Sequence, residues 1–301
     1  MAGYHFGWWD KAGTPTGSTS GKALRPALTL CAAAALGGAE ARAVHAATAI
    51  ELVHNFSLIH DDIMDADPIR RGRPTIWNVW SIADAILLGD ALHALAARVL
   101  VAGLPGTVGT EAVSRMEAAV AEMCRGQCED CSFENRRRVD VEEYTRMAMG
   151  KTGALMGCAC ALGALCAGAE GAAISAMDEF GRQLGLAFQF MDDLMGIWGD
   201  SRLTGKPAND LARRKLSLPV VIALGSSADA AAELAAIYQH TAAAGSADTE
   251  RAAALIDDIG GRDVTQQHAD QRVRIAIQAL PDKSVTDDLM ALALMVGRRD
   301  R

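Results

Sequence analysis

Three aspartates lie at the end of a predicted helix in the first quarter of the chain. Asp61 and Asp65 are four residues apart, so they share one face of the helix, and Asp62 lies beside them. Like charges at this spacing repel each other and destabilise an isolated helix. Magnesium prefers carboxylate oxygen, keeps several waters and bridges to substrate phosphates. The cluster is therefore interpreted either as a magnesium site for a phosphorylated substrate or as a solvated acidic helix end.

A second acidic pair favours the metal interpretation. Asp192 and Asp193 also end an apolar helix, and Asp200 follows one loop later. Two such helix ends facing each other across a bundle would bind several magnesium ions around a diphosphate. The ions would polarise its oxygens and stabilise the leaving anion.

Basic residues accompany the acidic clusters, although the protein as a whole is acidic. Its 29 Lys and Arg against 37 Asp and Glu give a formal net charge of −8, which argues against a general nucleic-acid binder. Arginine binds phosphate oxygens through a bidentate fork, and lysine acts as a point charge. The candidates for binding a phosphate anion are Lys22, Arg25, Arg70, Arg71, Lys151, Lys206 and Lys215.

The elements that must position these residues are helices. Alanine is far above ordinary usage and has the highest helix propensity, so the composition predicts an all-α fold. Apolar periodicity predicts helices over 22–36, 40–66, 76–103, 109–129, 140–167, 172–197, 207–223, 229–243, 248–259, 262–279 and 284–297.

The breaks between these helices are short and evenly distributed. They predict a single domain over 1–301, with 1–20 a flexible or truncated N-terminal segment. The chain opens without a secretory signal, and its longest apolar stretch, 153–168, is too short to span a bilayer. The seven cysteines are interpreted as reduced thiols, and we expect a cytoplasmic protein without a membrane span.

Several segments together resemble the trans-isoprenyl diphosphate synthase (polyprenyl synthetase) family. They cover 21–219 and read, in order, GKALRP, ELVHNFSLIHDDIMD, RRGRPT, LLGDAL, KTGALM, FQFMDDLMGIWGD and GKPANDLARRKLSLP. Their order and separations match the family as well as their content. The resemblance implies the all-α isoprenoid synthase bundle around a central active-site cavity, and a homodimer.

The resemblance also implies roles for individual residues. Catalysis is assigned to Asp61, Asp62, Asp65, Arg70, Lys151 and Asp192. Of these, Asp61, Asp65 and Asp192 are the implied ligands of Mg²⁺, three ions with bound diphosphate. The implied isopentenyl diphosphate pocket contains Lys22, Arg25, His54 and Arg71. The implied allylic diphosphate pocket contains Arg70, Lys151, Thr152, Gln189, Lys206 and Lys215.

The reaction so implied condenses isopentenyl diphosphate with an allylic diphosphate by ionisation, condensation and elimination. Phe56, five residues before Asp61, and the small Ser57 resemble the chain-length pattern of short-chain synthases. They favour a C20 product, with C15 next. Ordinary core packing is the other interpretation of Phe56.

Two departures from the family pattern leave alternatives open. Gly196 stands where the second aspartate motif has its third aspartate, and GKPANDL is one residue short, which weakens the assignment of Lys206. A terpene cyclase, or prenyl transfer to another acceptor, would use the same fold. A non-catalytic partner subunit of a heteromeric synthase is the third hypothesis.

Overall fold

The computed structural model describes residues 1–16, 21, 23–38, 40–134, 136–199, 209–239, 245–281 and 286–298. It divides into two compact units. Unit 1 comprises 1–117 and 159–174, and unit 2 comprises 118–158 and 175–301. The single domain over 1–301 stays a prediction.

Unit 1 is built around a long central helix whose last turn carries the first aspartate cluster. Its helices are α1 (Ala2–His5), α2 (Leu24–Ala35), α3 (Glu40–Met64), α4 (Ile76–Val79), α5 (Ile82–Gly103), the first part of α6 (Gly106–Phe133), most of α8 (Ala154–Cys166) and the first turn of α9 (Gly171–Trp198). Alanines such as Ala43 and Ala46 are fully buried along α3. Because they have small side chains, α2 and α5 both pack closely against this helix.

A small hairpin follows the aspartates in unit 1. Strand β1 (Ile69–Arg70) pairs antiparallel with β2 (Arg73–Pro74), with Ile69 opposite Pro74. Arg71 and Gly72 form the turn with φ of 52° and 72°. Two successive positive φ values are typical of the tight hairpin turn whose twist matches that of the strands.

Unit 2 contains the second aspartate pair near the end of its longest helix. Its elements are the rest of α6, α7 (Val141–Ala148), a π-helix (Met149–Gly153), the start of α8 (Ala154–Cys166), most of α9 (Gly171–Trp198), α10 (Leu218–Gly225), α11 (Asp229–Gln239), α12 (Ser246–Asp258), α13 (Gly261–Ala279) and α14 (Asp287–Gly297). Phe190, Leu218 and Ile256 are fully buried in its core. A capping box between Asp140 and Glu143 fixes the start of α7.

The all-α prediction is confirmed, but several predicted bounds are wrong. The helix predicted over 207–223 begins only at Leu218, because Pro219 is tolerated in the first turn of a helix and not in its interior. The helix predicted over 76–103 is interrupted before Ser81, whose hydroxyl accepts the Asp84 N–H at 3.0 Å and caps α5. Residues 1–16, within the segment 1–20 predicted to be flexible or truncated, have a defined structure, and residues 17–20 lie outside the described residues.

By length and composition alone, two helical stretches within the part of the chain that the structure describes could cross a membrane. The stretch Val141–Cys166 is mostly buried inside the protein, as in a core helix, whereas Ile82–Gly103 is largely exposed. One or two such helices are weak evidence for a span, so the absence of a membrane span stays a prediction.

Candidate active site

The first aspartate cluster contains one buried and two partly exposed carboxylates. Asp62 is 2% exposed, and its Oδ1 accepts a hydrogen bond from Arg70 Nε at 2.6 Å. Asp61 and Asp65 are only partly buried, and Asp65 follows directly after α3, with its N–H donating to the Asp61 carbonyl at 2.8 Å. Asp61 and Asp65 therefore lie one turn apart, while Asp62 is held in an internal ion pair.

The hairpin carries two arginines, Arg70 and Arg71, whose side chains contact different partners. Arg70 turns back to Asp62, so its Nε is committed and its two Nη groups remain for an anion. The Arg71 guanidinium lies against Gly21, close enough that a Cβ there would be 2.8 Å from Nη2. Arg71 thus points toward the predicted GKALRP segment.

Arg25 and His54 meet beside the hairpin arginines. Arg25 Nη1 donates to His54 Nε2 at 3.2 Å. Burial, followed by the charges of Arg25, Arg71 and Arg70, lowers the pKa of His54 well below its usual value. The ring is therefore neutral, which lets it accept a hydrogen bond from the guanidinium. The structure brings Arg25, His54 and Arg71 together, as predicted for one pocket; Lys22 lies outside the described residues.

Sequence reasoning missed three polar residues that support this basic cluster. His5 Nε2 lies 3.1 Å from Asn55 Oδ1, and Asn55 Nδ2 donates to Glu51 Oε1 at 2.9 Å. Burial raises the pKa of Glu51, opposed by the charges of Arg25 and Arg71. The four-residue spacing of Glu51 and Asn55, on either side of His54, was the signal available in the sequence.

Phe56 lies between α3 and α5. Its ring is 7% exposed, stacks on His93 with centroids 5.1 Å apart, and meets His60 edge-on at 5.6 Å. Ser57 Oγ donates to the His54 carbonyl at 2.8 Å. Phe56 therefore packs within unit 1, and the small Ser57 stands next to it on the turn below Asp61.

In unit 2, Asp193 and Asp192 have different environments. Asp193 is 2% exposed and accepts hydrogen bonds from Tyr144 Oη, from Leu218 N at 2.8 Å and from Gln189 Nε2 at 3.1 Å. Burial raises the pKa of Asp193 to about 7, and the Leu218 N–H, the Tyr144 hydroxyl and the charge of Lys215 oppose the shift. Asp192 is only partly buried. Asp193 is thus buried among three donors, and Asp192 is the candidate ligand of the pair.

Two predicted lysines converge on a carboxylate that the sequence did not single out. Asp130 Oδ2 forms a short ion pair with Lys151 and lies 4.0 Å from Lys215 Nζ. Burial opposes ionisation of Asp130, but the charges of Lys151 and Lys215 outweigh it and keep the pKa of this carboxyl below its usual range. Gly126, one turn earlier on α6, lets the helix backbone approach Lys151, because a Cβ there would lie 2.9 Å from Lys151 Cα.

The π-helix places Thr152 in the same network. Thr152 Oγ1 donates to Gln189 Oε1 at 2.8 Å, and Gln189 in turn donates to Asp193. Single π turns are frequent at functional sites. Lys151, Thr152, Gln189 and Lys215 therefore belong to one connected polar region, whereas Lys206 and Asp200 lie outside the described residues.

Gly196 lies against Asp210. A Cβ built at Gly196 would be 2.6 Å from Asp210 Cγ, and the Asp210 N–H donates to the Gly196 carbonyl at 3.3 Å. The negative charge of Asp210 also contributes to raising the pKa of Asp193. A carboxylate from a later segment thus occupies the place where the third motif side chain would begin.

The donor chemistry fits magnesium. The candidate ligands Asp61, Asp65 and Asp192 offer only carboxylate oxygen, the donor that Mg²⁺ prefers. Among the residues that the structure describes, no group of three or more His, Cys, Asp and Glu side chains is arranged to hold a metal. In proteins Mg²⁺ is usually bound by one or two carboxylates together with substrate phosphates.

Comparisons with known proteins agree with this chemistry. The polyprenyl synthetase family model matches residues 8–256. Geranylgeranyl diphosphate synthase of Mycobacterium tuberculosis is 53% identical over 301 residues, covering 100% of this chain and 86% of that protein. A (2E,6E)-farnesyl diphosphate synthase of the same species is 42% identical over 95% of this chain and 81% of its own length.

Solved structures show the same architecture. A polyprenyl synthetase from Streptomyces coelicolor superimposes with a TM-score of 0.92 at 44% identity, covering 98% of this chain and 90% of that one. A geranylgeranyl pyrophosphate synthase from Corynebacterium glutamicum, complexed with isoprenyl diphosphate and magnesium, gives a TM-score of 0.84 at 25% identity over 93% of this chain and 87% of that one.

Proposed function

Because the chain belongs to the polyprenyl synthetase family, we propose that it condenses isopentenyl diphosphate with an allylic diphosphate to give mainly a C20 prenyl diphosphate. The chain is a short-chain trans-prenyl diphosphate synthase of a family that uses Mg²⁺. The product, the residue roles, the number of metal ions and the oligomeric state are parts of the proposal.

The contact between Arg25 and His54, with Arg71 beside it, is the observation that carries the proposal. A terpene cyclase needs the aspartate motifs and one diphosphate, but has no use for a pocket for a second diphosphate. A cluster of cations in unit 1, additional to the lysines of unit 2, therefore favours condensation over cyclisation. A non-catalytic partner subunit would have no use for the candidate metal ligands either.

We assign isopentenyl diphosphate to this cluster, together with Lys22. The neutral His54 ring accepts from Arg25 and so orients its guanidinium without adding a competing charge. Arg25 and Arg71 then present planar forks that match the oxygens of a diphosphate.

We assign the allylic diphosphate to Lys151, Thr152, Gln189, Lys206 and Lys215, with the Nη groups of Arg70. Asp130 pairs with Lys151 and lies 4.0 Å from Lys215 Nζ, so it holds the two ammonium groups close together. Positive groups aimed at the diphosphate stabilise the charge that grows on it as the bond to carbon breaks.

Asp61, Asp65 and Asp192 would hold Mg²⁺, three ions with bound diphosphate. When bound, these ions neutralise the diphosphate and make it a better leaving group. Asp62 and Asp193 act indirectly, because each is buried and hydrogen-bonded to neighbouring side chains.

The reaction needs no protein nucleophile. The allylic C–O bond breaks and the diphosphate leaves with the electron pair, which gives an allylic cation. The double bond of isopentenyl diphosphate attacks this cation and forms the new C–C bond. A proton then leaves the adjacent carbon for the departed diphosphate, which restores a double bond. The protein contributes by positioning both substrates and stabilising charge.

Product length is assigned to Phe56 and Ser57. The Phe56 ring is fixed by His60 and His93, so it is a rigid obstacle to a growing chain on that side of α3. Ser57 leaves room on the neighbouring face. This combination favours C20, with C15 as the next product.

Large exposed apolar side chains along α5 support a homodimer. Ile82, Ile86, Leu87, Leu95 and Val101 are 41–66% exposed. An apolar patch of this kind is typical of a subunit interface. Light scattering coupled to size exclusion tests the dimer, and a monomeric mass would refute it. A cytoplasmic location is part of the same proposal.

Mass spectrometry of the products tests the function. The purified chain is incubated with Mg²⁺, isopentenyl diphosphate and, separately, dimethylallyl, geranyl and farnesyl diphosphates. A C20 diphosphate is the expected product. A hydrocarbon or alcohol formed without consumption of isopentenyl diphosphate would establish a cyclase instead. An absence of any turnover would favour the partner-subunit hypothesis.

A further inference from the structure

Residues 1–16 form a folded unit of their own in front of the hairpin. After α1, Trp9 and Pro15 form an antiparallel bridge, and the Thr16 N–H donates to the Trp8 carbonyl at 3.0 Å. Asp10 Oδ1 accepts from the N–H groups of Ala12 and Thr14, both at 2.8 Å. The segment therefore has a defined shape that it can impose on a neighbour.

This segment contacts the second strand of the hairpin through Tyr4. Tyr4 Oη donates to the Pro74 carbonyl at 2.9 Å, and the Tyr4 carbonyl accepts from Arg73 Nη1 at 3.1 Å. The Arg73 guanidinium also lies 4.2 Å from the centre of the Tyr4 ring. Its Nη2 donates to the Trp9 carbonyl at 2.8 Å. Both residues of β2 are thus bound to the N-terminal segment.

His5 connects the same segment to Asn55 and Glu51, which lie beside the basic cluster. Its Nε2–H donates to Oδ1 of Asn55, which is fully buried. Asn55 Nδ2 in turn donates to Oε1 of Glu51. Burial, then the charges of Arg70 and Arg71, lower the pKa of His5 to about 4. His5 is therefore a neutral donor at pH 7, lying within the electrostatic field of both hairpin arginines.

The hairpin needs such external support. Arg71 has a φ of 52°, a left-handed conformation that is unfavourable for a residue with a side chain. Such a conformation persists only where the surroundings determine it. The hairpin has two residues in each strand, too few to hold that turn by themselves.

We propose that residues 1–16 clamp the hairpin 69–74, and that Tyr4 and His5 are positioning residues that orient Arg71 in the isopentenyl diphosphate pocket. The inference rests on the proposed function, because it gives that pocket its ligand. Tyr4 sets the position of β2, and His5 sets Asn55 and Glu51 beneath the arginines. Neither side chain needs to touch the substrate.

Isothermal titration calorimetry with isopentenyl diphosphate tests the clamp without turnover, since the allylic partner is omitted. Tyr4→Phe keeps the ring under Arg73 and removes only the hydroxyl, and His5→Ala removes the donor to Asn55. Each variant loses one hydrogen bond, so we expect its Kd for isopentenyl diphosphate to rise about fivefold. His5→Gln retains an amide donor and should restore binding to within about twofold of wild type.

Steady-state kinetics separate positioning from a general loss of structure. In Tyr4→Phe and His5→Ala, KM for isopentenyl diphosphate should rise as Kd does, while kcat and KM for geranyl diphosphate stay unchanged. Lys11→Ala, an exposed change in the same segment, is the matched control and should match wild type.

Two results would overturn the clamp. One is an unchanged Kd for isopentenyl diphosphate in both Tyr4→Phe and His5→Ala. The other is an equal rise of KM for isopentenyl diphosphate and for geranyl diphosphate. If wild type neither binds isopentenyl diphosphate nor forms a product, the proposed function fails, and the clamp as stated fails with it. That result is seen in wild type alone, so the two failures are distinguishable.

Discussion

The carboxylate of Asp210 lies where a side chain at Gly196 would begin. A Cβ at Gly196 would be 2.6 Å from Asp210 Cγ and 3.1 Å from its Oδ1. The second aspartate motif of the family usually has an aspartate at the position of Gly196. The departure in the motif is therefore matched by a carboxylate that reaches the same place from a later segment.

Restoring the usual motif should harm this enzyme. Gly196→Asp would force two carboxylates into one space, and we expect kcat/KM to fall about tenfold as Asp210 is displaced. The double variant Gly196→Asp with Asp210→Gly returns a single carboxylate and should recover most of the activity. Kinetics at several Mg²⁺ concentrations measure both. Full activity of the single variant would show that Asp210 can move aside without consequence.

Removal of a candidate metal ligand should abolish turnover without unfolding the protein. For Asp61→Ala we expect kcat to fall about a thousandfold or more, with unchanged helical circular dichroism, because charge on the leaving group is no longer stabilised. Calorimetry of Mg²⁺ with inorganic diphosphate should show weaker binding. Glu111→Gln, on the exposed part of α6, is the matched control. Undiminished activity in Asp61→Ala would refute its role as a ligand.

The buried ion pair between Asp62 and Arg70 should contribute to stability, in addition to the role of Arg70 in binding the allylic diphosphate. Arg70→Met leaves the Asp62 carboxylate buried without its cation, which costs about 3 kcal/mol of unfolding free energy. Urea denaturation measures the loss. The double variant Asp62→Asn with Arg70→Met should regain part of it, since no buried charge is left. If the losses of unfolding free energy in Asp62→Asn and in Arg70→Met add up to the loss in the double variant, the two side chains are not coupled.

Stability should fall in mild acid because of His5. Its pKa is about 4 in the folded protein against 6.5 for an ordinary histidine. The unfolded chain therefore binds more protons between these values, and stability is lost as pH falls through this window. The contribution of His5 amounts to about 2 kcal/mol between pH 7 and pH 5. Urea denaturation of wild type and His5→Gln should show the smaller pH dependence in the variant; identical dependences would contradict the assignment.

Shortening Phe56 should lengthen the product. Phe56→Ala removes the ring that packs on His93 and opens space beside α3, so products beyond C20 are expected. The change also costs about 3 kcal/mol of stability or more, so thermal unfolding must accompany the assay. Mass spectrometry of the prenyl diphosphates gives the readout, and Phe56→Trp should not lengthen the product. An unchanged product in Phe56→Ala would place the length limit elsewhere.

The sequence predicted which residues form the site better than it predicted which of them are buried and which are partly exposed. Spacing placed Asp61 and Asp65 on one helical face, because that relation depends only on the helical repeat. It could not tell that Asp62 and Asp193 are buried, since burial depends on distant partners such as Arg70 and Leu218. Asp130 was missed for the same reason, because its two lysines come from other elements.

Fold prediction failed where local signals were weak. Long apolar helices such as α3 and α9 were predicted nearly to their ends. The hairpin 69–74 was not, because strands of two residues have no periodicity. The segment 1–20 was predicted to be flexible or truncated because residues 13–21 are small and polar, and no local pattern indicated the contact between Tyr4 and Arg73.

The π-helix at Met149–Gly153 sets the rotation of α7 relative to α8. A π turn contains one residue more than an α turn but completes nearly the same rotation, so the helices on either side stay in phase around it. If the same residues formed one uninterrupted α-helix, Tyr144 would be turned by about 100° relative to the buried side chains of α8. Deleting one residue here would convert the π turn into an α turn and leave the phase of α7 and α8 unchanged, whereas deleting one within α7 would rotate the residues before it by about 100°. This segment therefore tolerates a change in length that the helices beside it do not.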